Sequence, residues 1–153
     1  MDDRALYNDN YPTCIETYAT IRVISAQHDC AALQARLQLS DATCRISPRA
    51  GSPRAVWGLS SEAHVRSRDT RRHIDWLLDR IEPATSALLE LREEGATADI
   101  FCYFVSVGHG GPMLSPQQMT RLAALDLTVG WDVYCSEGEV DDPSWSKTPE
   151  THL

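Results

Sequence analysis

The sequence lacks any apolar run long enough to cross a bilayer, and its first residues contain nothing that resembles a signal peptide. Spanning a membrane takes about 20 consecutive apolar residues, whereas the chain begins Met-Asp-Asp-Arg-Ala-Leu-Tyr. We therefore expect a cytoplasmic location and no membrane partner. The 153 residues, 42% of them hydrophobic, are sufficient for one domain with a single core.

Cysteine motifs are also missing. No two cysteines form a Cys-x-x-Cys pair, and no histidine follows one at zinc-finger spacing. Structural zinc sites need clustered ligands, and disulfide frameworks favour an even number of cysteines in a secreted chain. We therefore expect reduced, mostly buried thiols and no metal site. The five cysteines are Cys14, Cys30, Cys44, Cys102 and Cys135.

Basic residues are scarce, and Lys147 is the only lysine. The formal net charge of −8 disfavours a nucleic-acid partner. The segment 45–80 is the exception, because it carries eight arginines and four acidic residues. These arginines could face an acidic partner, or they could pair with Asp75 and Asp79 along a solvated helix face. The eight are Arg45, Arg49, Arg54, Arg66, Arg68, Arg71, Arg72 and Arg80.

No stretch of the sequence matches a catalytic motif. The serines lie in no Gly-x-Ser-x-Gly elbow, and Cys102 occupies an apolar strand register that favours a core thiol over a nucleophile. The turn Gly108-His109-Gly110-Gly111 precedes a helix and could bind an anion through backbone N–H groups. It lacks the spacing of a dinucleotide loop and the Lys-Ser/Thr of a P-loop, so we favour a turn with several positive φ angles. We expect no catalytic residue and no cofactor.

Two histidines each follow a predicted strand. His28 and His109 could meet as a metal or acid–base pair, with Asp29 as the obvious third ligand. Two imidazoles alone make a poor metal site. We favour the alternative, in which both histidines cap backbone carbonyls in their own loops.

The clearest periodic pattern covers residues 69–94. Apolar residues recur there in steps of three and four, which is typical of one face of a helix. Ser67 or Asp69 can cap its start, and Gly95 follows its end. Because Pro83 interrupts the pattern without changing its phase, we predict one kinked helix or two nearly collinear helices, with the kink at residues 82–83. The apolar positions are Ile74, Leu77, Ile81, Ala84, Leu88 and Leu91.

Alternation predicts strands at 17–25, 55–60, 97–107 and 128–135. In the third strand both faces are apolar, so it should be central in the sheet or covered on its outer side. Its inner residues are Ile100, Cys102 and Phe104, and its outer residues are Phe101, Tyr103 and Val105. In the last strand we expect Val129, Trp131 and Val133 to point inward.

Two shorter helices and three irregular segments complete the prediction. The helices cover 30–37 and 115–126, and residues 40–53 are predicted to form a long irregular loop because Pro48, Gly51 and Pro53 interrupt them. We divide the chain into an N-terminal arm (1–16), a single globular domain (17–137) and an acidic C-terminal tail (138–153).

The two halves of the chain look like copies of one unit. With His28 and His109 aligned, Trp57-Gly58-Leu59 falls opposite Trp131-Asp132-Val133. We therefore predict a pseudo-duplicated β-α-β, long helix, β-α-β order. The fold class is α/β two-layer (α+β), with a four-stranded mixed sheet and three helices packed mainly on one face.

Short structural motifs occur along this order of elements. They are Leu37-Gln38-Leu39, Trp57-Gly58-Leu59, Leu114-Ser115-Pro116-Gln117-Gln118, the run Leu122–Leu127 and Trp131-Asp132-Val133-Tyr134. With these motifs, residues 16–137 or so resemble a bacterial family catalogued as domain of unknown function 4279. The Arg-rich loop before the second strand departs from the family pattern. Because some small bacterial proteins of this kind occur in toxin–immunity settings, the resemblance implies binding rather than catalysis.

The outward residues of the strands predict an aromatic surface that needs a cover. The cover could be a partner or an arm of the chain, with Tyr11 or Trp145 folding over it. We expect a non-catalytic protein-binding module, such as an immunity-type neutraliser or a homodimer. The alternative is a small-ligand-binding protein or enzyme, with a site formed by the loop 40–53 and by His28, His109, Gly110 and Gly111. The candidate partner surface comprises Arg22, Phe101, Tyr103, Val105 and Tyr134 with Arg66, Arg68, Arg71 and Arg72.

Overall fold

A computed structural model describes residues 7–48 and 51–139. The strands are β1 (Cys14–Ser25), β2 (Thr43–Ser47), β3 (Arg54–Ser60), β4 (Thr97–Ser106) and β5 (Thr128–Cys135). The helices are α1 (Cys30–Leu37), α2 (Thr70–Ile81), α3 (Thr85–Glu93) and α4 (Pro116–Ala124), with a 3₁₀ turn, Glu82–Ala84, between α2 and α3.

The strands form one mixed sheet in the order β2-β3-β1-β4-β5. The pairs β2–β3, β3–β1 and β1–β4 are antiparallel, and β4–β5 is parallel with α4 in the crossover. The α+β class, the mixed sheet and the three helical units are confirmed, because α2 and α3 together form the interrupted long helix. The prediction of four strands is wrong, because the sheet has five.

The additional strand, β2, lies inside the segment that we predicted as the loop 40–53. It pairs with β3 from Thr43 opposite Gly58 to Ser47 opposite Arg54. The sequence Thr-Cys-Arg-Ile-Ser is short and has no clean alternation, so only its pairing with β3 makes it a strand. The predicted two-fold duplication is not confirmed, since β1 and β3 pair antiparallel whereas β4 and β5 pair parallel.

The interrupted helix follows the predicted pattern. Asp69 caps α2 by accepting a hydrogen bond from the backbone N–H of Arg71, and Gly95 adopts a φ of +96° just after α3. The break falls at Glu82 and Pro83, as expected, because proline has no N–H to continue the helix. Five of the six predicted apolar side chains are fully buried, namely Ile74, Leu77, Ile81, Leu88 and Leu91.

All the helices contribute to one core on one face of the sheet. The inward residues of the central strands, such as Ile21, Trp57 and Ile100, pack in the same cluster as the apolar sides of α1, α2, α3 and α4. The inward direction predicted for β5 is right, because Trp131 lies opposite Cys102 in register. However, β5 is an edge strand that the helices cover poorly, so Trp131 remains 38% exposed and Val133 48% exposed.

Cys30 and Cys44 form a disulfide that joins the start of α1 to β2, with their Cα atoms 5.6 Å apart. The prediction that all thiols are reduced is therefore wrong for this pair. The two cysteines are 14 positions apart in the sequence, and only the position of β2 under α1 brings them together. Cys14 and Cys102 are buried free thiols, and Cys135 is an exposed one.

The N-terminal residues that the structure describes pack on the helix side of the sheet. The ring of Tyr11 meets that of Phe104 edge-on, with centroids 6.3 Å apart. Tyr7 donates a hydrogen bond to Asp75 of α2. Within the described ranges, no helix is both long and apolar enough to cross a membrane.

Candidate functional site

The structure brings one predicted set of residues together on the face of the sheet opposite the helices. We call this face the open face. Successive side chains of a strand point to opposite faces, so the buried residues of β1 and β4 alternate with partly exposed ones. No described helix packs on this face, because all of them share the core on the other side. The set comprises Arg22, Phe101, Tyr103, Val105 and Tyr134.

Three tyrosines lie in successive ring contacts across the open face, a stacked pair followed by a tilted one, which we call the aromatic row. Tyr18 and Tyr103 lie directly opposite each other in register and stack with ring centroids 4.8 Å apart. Tyr134 follows at 5.4 Å from Tyr103 and donates a hydrogen bond of 3.0 Å to Asp132. That hydrogen bond raises the pKa of Tyr134, while burial chiefly raises that of Tyr18. Tyr18 was missing from the predicted set, although its alternation with Ala19 and Ile21 places it on this face.

Phe101 extends the aromatic surface towards the charged end of the face. Its ring lies over Gly130 of β5, where a side chain would collide with it. The guanidinium carbon of Arg22 sits 4.9 Å from the ring centroid. Arg22 also donates two hydrogen bonds, of 2.8 and 2.6 Å, to the carboxylate of Asp99. Arg22 is therefore held by both a cation–π contact and a bidentate ion pair.

Beyond Arg22, the open face contains a cleft of about 430 Å³ over β1, β2 and β3, which we call the arginine cleft. Two of its arginines, Arg45 and Arg54, are exposed and make no ion pair with any described residue. The alternative ligand site included the loop 40–53, which supplies Arg45, Ser47 and Ser52, but the cleft itself was not predicted because the pairing of β2 with β3 was not. Its lining residues are Arg22, Ile24, Arg45, Ser47, Ser52, Arg54 and Val56.

The predicted basic helix residues do not join the open face. Arg66 is exposed beside α2, whereas Arg68 is only 7% exposed. Arg71 and Arg72 make ion pairs of 2.6 and 2.7 Å with Asp69 and Asp9, respectively. Of the two alternatives for these arginines, an acidic partner or ion pairs within the chain, Arg71 and Arg72 follow the second.

The acidic partners in this pairing differ from those expected. Asp75 and Asp79 contact Arg121 of α4 at 3.3 and 2.5 Å, rather than the arginines of their own segment. Burial alone would raise the pKa of Asp69, but hydrogen bonds from Arg71 and from the backbone of Asn8 lower it below its ordinary value. This carboxylate therefore stays charged at the start of α2, where it also serves as the cap.

The structure separates the two candidate histidines. His28 follows the end of β1 and His109 follows the end of β4, and because these strands are antiparallel the histidines lie at opposite ends of the sheet. The length of the strands puts them on the order of 30 Å apart. His28 instead pairs with Glu94 at 2.5 Å. The two histidines therefore do not form one site.

The glycine turn around His109 is closed by the N-terminal segment. Gly108 and Gly110 adopt φ angles of +89° and +125°, in agreement with the turn we favoured. A Cβ at Gly110 would lie 2.5 Å from the hydroxyl of Thr13 and 2.9 Å from that of Tyr11. In the described ranges, no group of three or more Cys, His, Asp or Glu residues is placed to hold a metal ion.

A buried hydrogen-bond network that we did not predict surrounds His73. Its Nε2 lies 2.8 Å from the carbonyl oxygen of Ser67, so Nε2 carries the proton, and its Nδ1 accepts from the hydroxyl of Ser61 at 2.7 Å. Burial lowers the pKa of His73 and keeps the ring neutral. A serine beside a histidine suggests a nucleophile, but Ser61 is 0% exposed and the pair is sealed from solvent. The sequence did contain a signal for the burial of His73, because this residue lies four positions before Leu77 on the buried stripe of α2.

Comparison with known proteins yields one match. The family model described as Domain of unknown function (DUF4279) matches residues 15–136. This span runs from the beginning of β1 to just past the end of β5, so it includes every strand and helix that carries the open face. No curated protein and no solved structure matches the chain.

Proposed function

The chain belongs to the family described as Domain of unknown function (DUF4279), and from that premise we propose that it is a non-catalytic protein-binding module. Its binding surface is the open face. The observation that carries the proposal is the aromatic row, in which the rings of Tyr18, Tyr103 and Tyr134 contact one another in turn on a face that no described helix covers.

Energetics favour a partner on this surface. Burying apolar area contributes roughly 25 cal/mol per Å², and tyrosine is enriched at the centres of protein interfaces because its ring buries area while its hydroxyl keeps a polar contact. Tyr134 is 50% exposed, so much of its area is available to a partner. The contacts between neighbouring rings also restrain the ring positions in advance, which reduces the entropy lost on binding.

The residues that the structure describes supply little cover. Of the two arms considered, the N-terminal one places Tyr7 and Tyr11 on the helix side of the sheet. Trp145, in the other arm, lies outside the described residues. The alternative, a ligand site or enzyme centre formed by the loop 40–53 with His28 and His109, has less support, because the two histidines lie at opposite ends of the sheet.

Two forms of this function are open to test: an immunity-type neutraliser that holds a different protein in the cytoplasm, and a homodimer in which two open faces meet. They differ in the partner and share the surface. Light scattering on the purified chain detects the homodimer, and capture from native cells followed by reconstitution with the purified partner detects the neutraliser.

The deciding variant is Tyr103→Glu, which introduces a charge in the middle of the aromatic row. Met119→Glu is the matched control, because Met119 is 51% exposed and lies on α4, on the other side of the sheet. We expect Tyr103→Glu to abolish association and Met119→Glu to preserve it, with both variants folded by circular dichroism. If Tyr103→Glu unfolds the domain, Tyr134→Glu, at the exposed end of the row, replaces it as the test variant. Association that survives in the folded variants of the row contradicts the proposal.

A further inference from the structure

The arginine cleft adds a charged region to the open face. Arg22 belongs to both regions, because it lines the cleft and also lies over the ring of Phe101. We propose that the cleft binds the carboxylates of an acidic segment of the protein partner. This inference rests on the proposed function and specifies the chemistry of the partner.

The strand register places the arginines around an apolar floor. Arg45 of β2 lies opposite Val56 of β3, and Val56 lies opposite Ile24 of β1, so these three side chains share one row of the open face. Arg54 stands at the start of β3, opposite Ser47. The guanidinium groups thus border Ile24 and Val56, while the hydroxyls of Ser47 and Ser52 add hydrogen-bonding groups at the rim.

The charges of the cleft are not balanced within the described residues. Asp99 pairs with Arg22, whereas Arg45 and Arg54 have no ion-pair partner there. Arg45 and Arg54 are diagonal neighbours on β2 and β3, so their like charges repel each other unless an anion neutralises them. The planar fork of a guanidinium group matches a carboxylate in a bidentate geometry. A local cluster of positive charge on a chain of net charge −8 therefore suits an acidic ligand at this one place.

The surroundings of the cleft favour an acidic protein segment over other anions. The net charge of −8 repels a long polyanion such as nucleic acid. Proteins commonly hold a free phosphate with a helix N-terminus or a glycine loop, whereas every described helix packs on the opposite face. The aromatic row continues from Phe101 and Arg22, so one partner can insert an apolar anchor there and place acidic residues in the cleft.

The test is an NMR titration of the isotope-labelled full chain with acetylated hexaglutamate at low ionic strength, with hexaglutamine as the neutral control. We expect hexaglutamate alone to shift the amide signals of β2, β3 and the end of β1. Arg45→Gln and Arg54→Gln should each weaken its binding about tenfold. Arg66→Gln, which removes an exposed arginine on the helix side, should leave the affinity within about twofold.

Three results overturn the inference: no shift with hexaglutamate, equal shifts with hexaglutamine, or unchanged affinity in the folded Arg45→Gln and Arg54→Gln variants. A parallel titration with inorganic phosphate tests whether the cleft binds a small phosphate ligand instead of an acidic segment. Shifts with phosphate but none with hexaglutamate would assign the cleft to a small phosphate ligand and reject the acidic segment. None of these results depends on Tyr103→Glu, so failure here is distinguishable from failure of the proposed binding function.

Discussion

The ring of Phe101 on β4 lies against Gly130 on β5, so closely that a Cβ added to Gly130 would be 2.7 Å from Cδ2 of the ring. The two residues are opposite each other in the parallel register. The absence of a side chain at Gly130 therefore makes the space in which Phe101 lies flat on the open face beneath Arg22. The shape of this surface depends on a glycine in an edge strand as much as on the aromatic residues themselves.

The first prediction concerns this contact. Gly130→Ala should lower the free energy of unfolding by about 1–3 kcal/mol, because the new methyl group must displace an aromatic ring from its packed position. Chemical denaturation measures this change. Gly111→Ala is the control, since a Cβ there meets nothing within 4 Å, and its effect should stay within about 0.5 kcal/mol. Equal stability of Gly130→Ala and Gly111→Ala would show that Phe101 is free to move.

The second prediction concerns pH and His73. Because burial lowers the folded-state pKa of His73, the unfolded chain binds the proton more readily than the folded one. The stability that the neutral ring provides is therefore complete above the unfolded pKa of about 6.5 and is lost as the pH falls below it. The loss approaches about 1.4 kcal/mol per pH unit until the folded-state pKa is reached.

Urea unfolding of the wild type and of His73→Gln across this range measures the effect. We expect the difference in stability between the two proteins to shrink as the pH falls, because glutamine cannot be protonated. His64→Gln is a control, as His64 is exposed and stacks on Trp76 with centroids 4.9 Å apart. A difference between wild type and His73→Gln that stays constant with pH would mean that His73 is not held neutral by burial.

The third prediction concerns the disulfide between Cys30 and Cys44. It closes a loop with a sequence separation of 14 residues, for which chain entropy predicts a stabilisation of about 3 kcal/mol. The double variant Cys30→Ser/Cys44→Ser should lose about this amount, and Cys135→Ser, at an exposed free thiol, should lose almost nothing. Thermal unfolding with and without reductant checks the same effect in the wild type.

A thiol count on the denatured, unreduced chain provides an independent check. We expect three reactive thiols, from Cys14, Cys102 and Cys135. Five reactive thiols, together with an unfolding curve that reductant leaves unchanged, would show that the cysteines at the start of α1 and in β2 are not joined in the purified protein.

Sequence reasoning was most reliable where the signal is local and repeated. The stripe through Leu77 and Leu88 predicted the α2–α3 helix and its break at Pro83, because a side chain on a helix meets the core every three or four residues whatever its partner is. Alternation likewise placed Tyr103 and Ile100 on opposite faces of β4.

The same reasoning failed where a feature depends on which strands are neighbours. β2 has no pattern of its own, so its pairing with β3 was not predicted. The disulfide and the arginine cleft were not predicted either, because both depend on that pairing. The similarity of the two halves left open that His28 and His109 could meet, although we favoured two separate loops. The antiparallel pairing of β1 with β4 instead places them at opposite ends of the sheet.

The sequence by itself therefore determined the family, the helices and the two faces of each central strand, because these follow from local spacing and residue type. Only the tertiary structure decided that Tyr18, Tyr103 and Tyr134 form one aromatic row and that Arg22, Arg45 and Arg54 border one cleft. Residues on different strands become neighbours through the register of backbone hydrogen bonds, and that register is set by burial of the whole sheet against its helices rather than by any one segment.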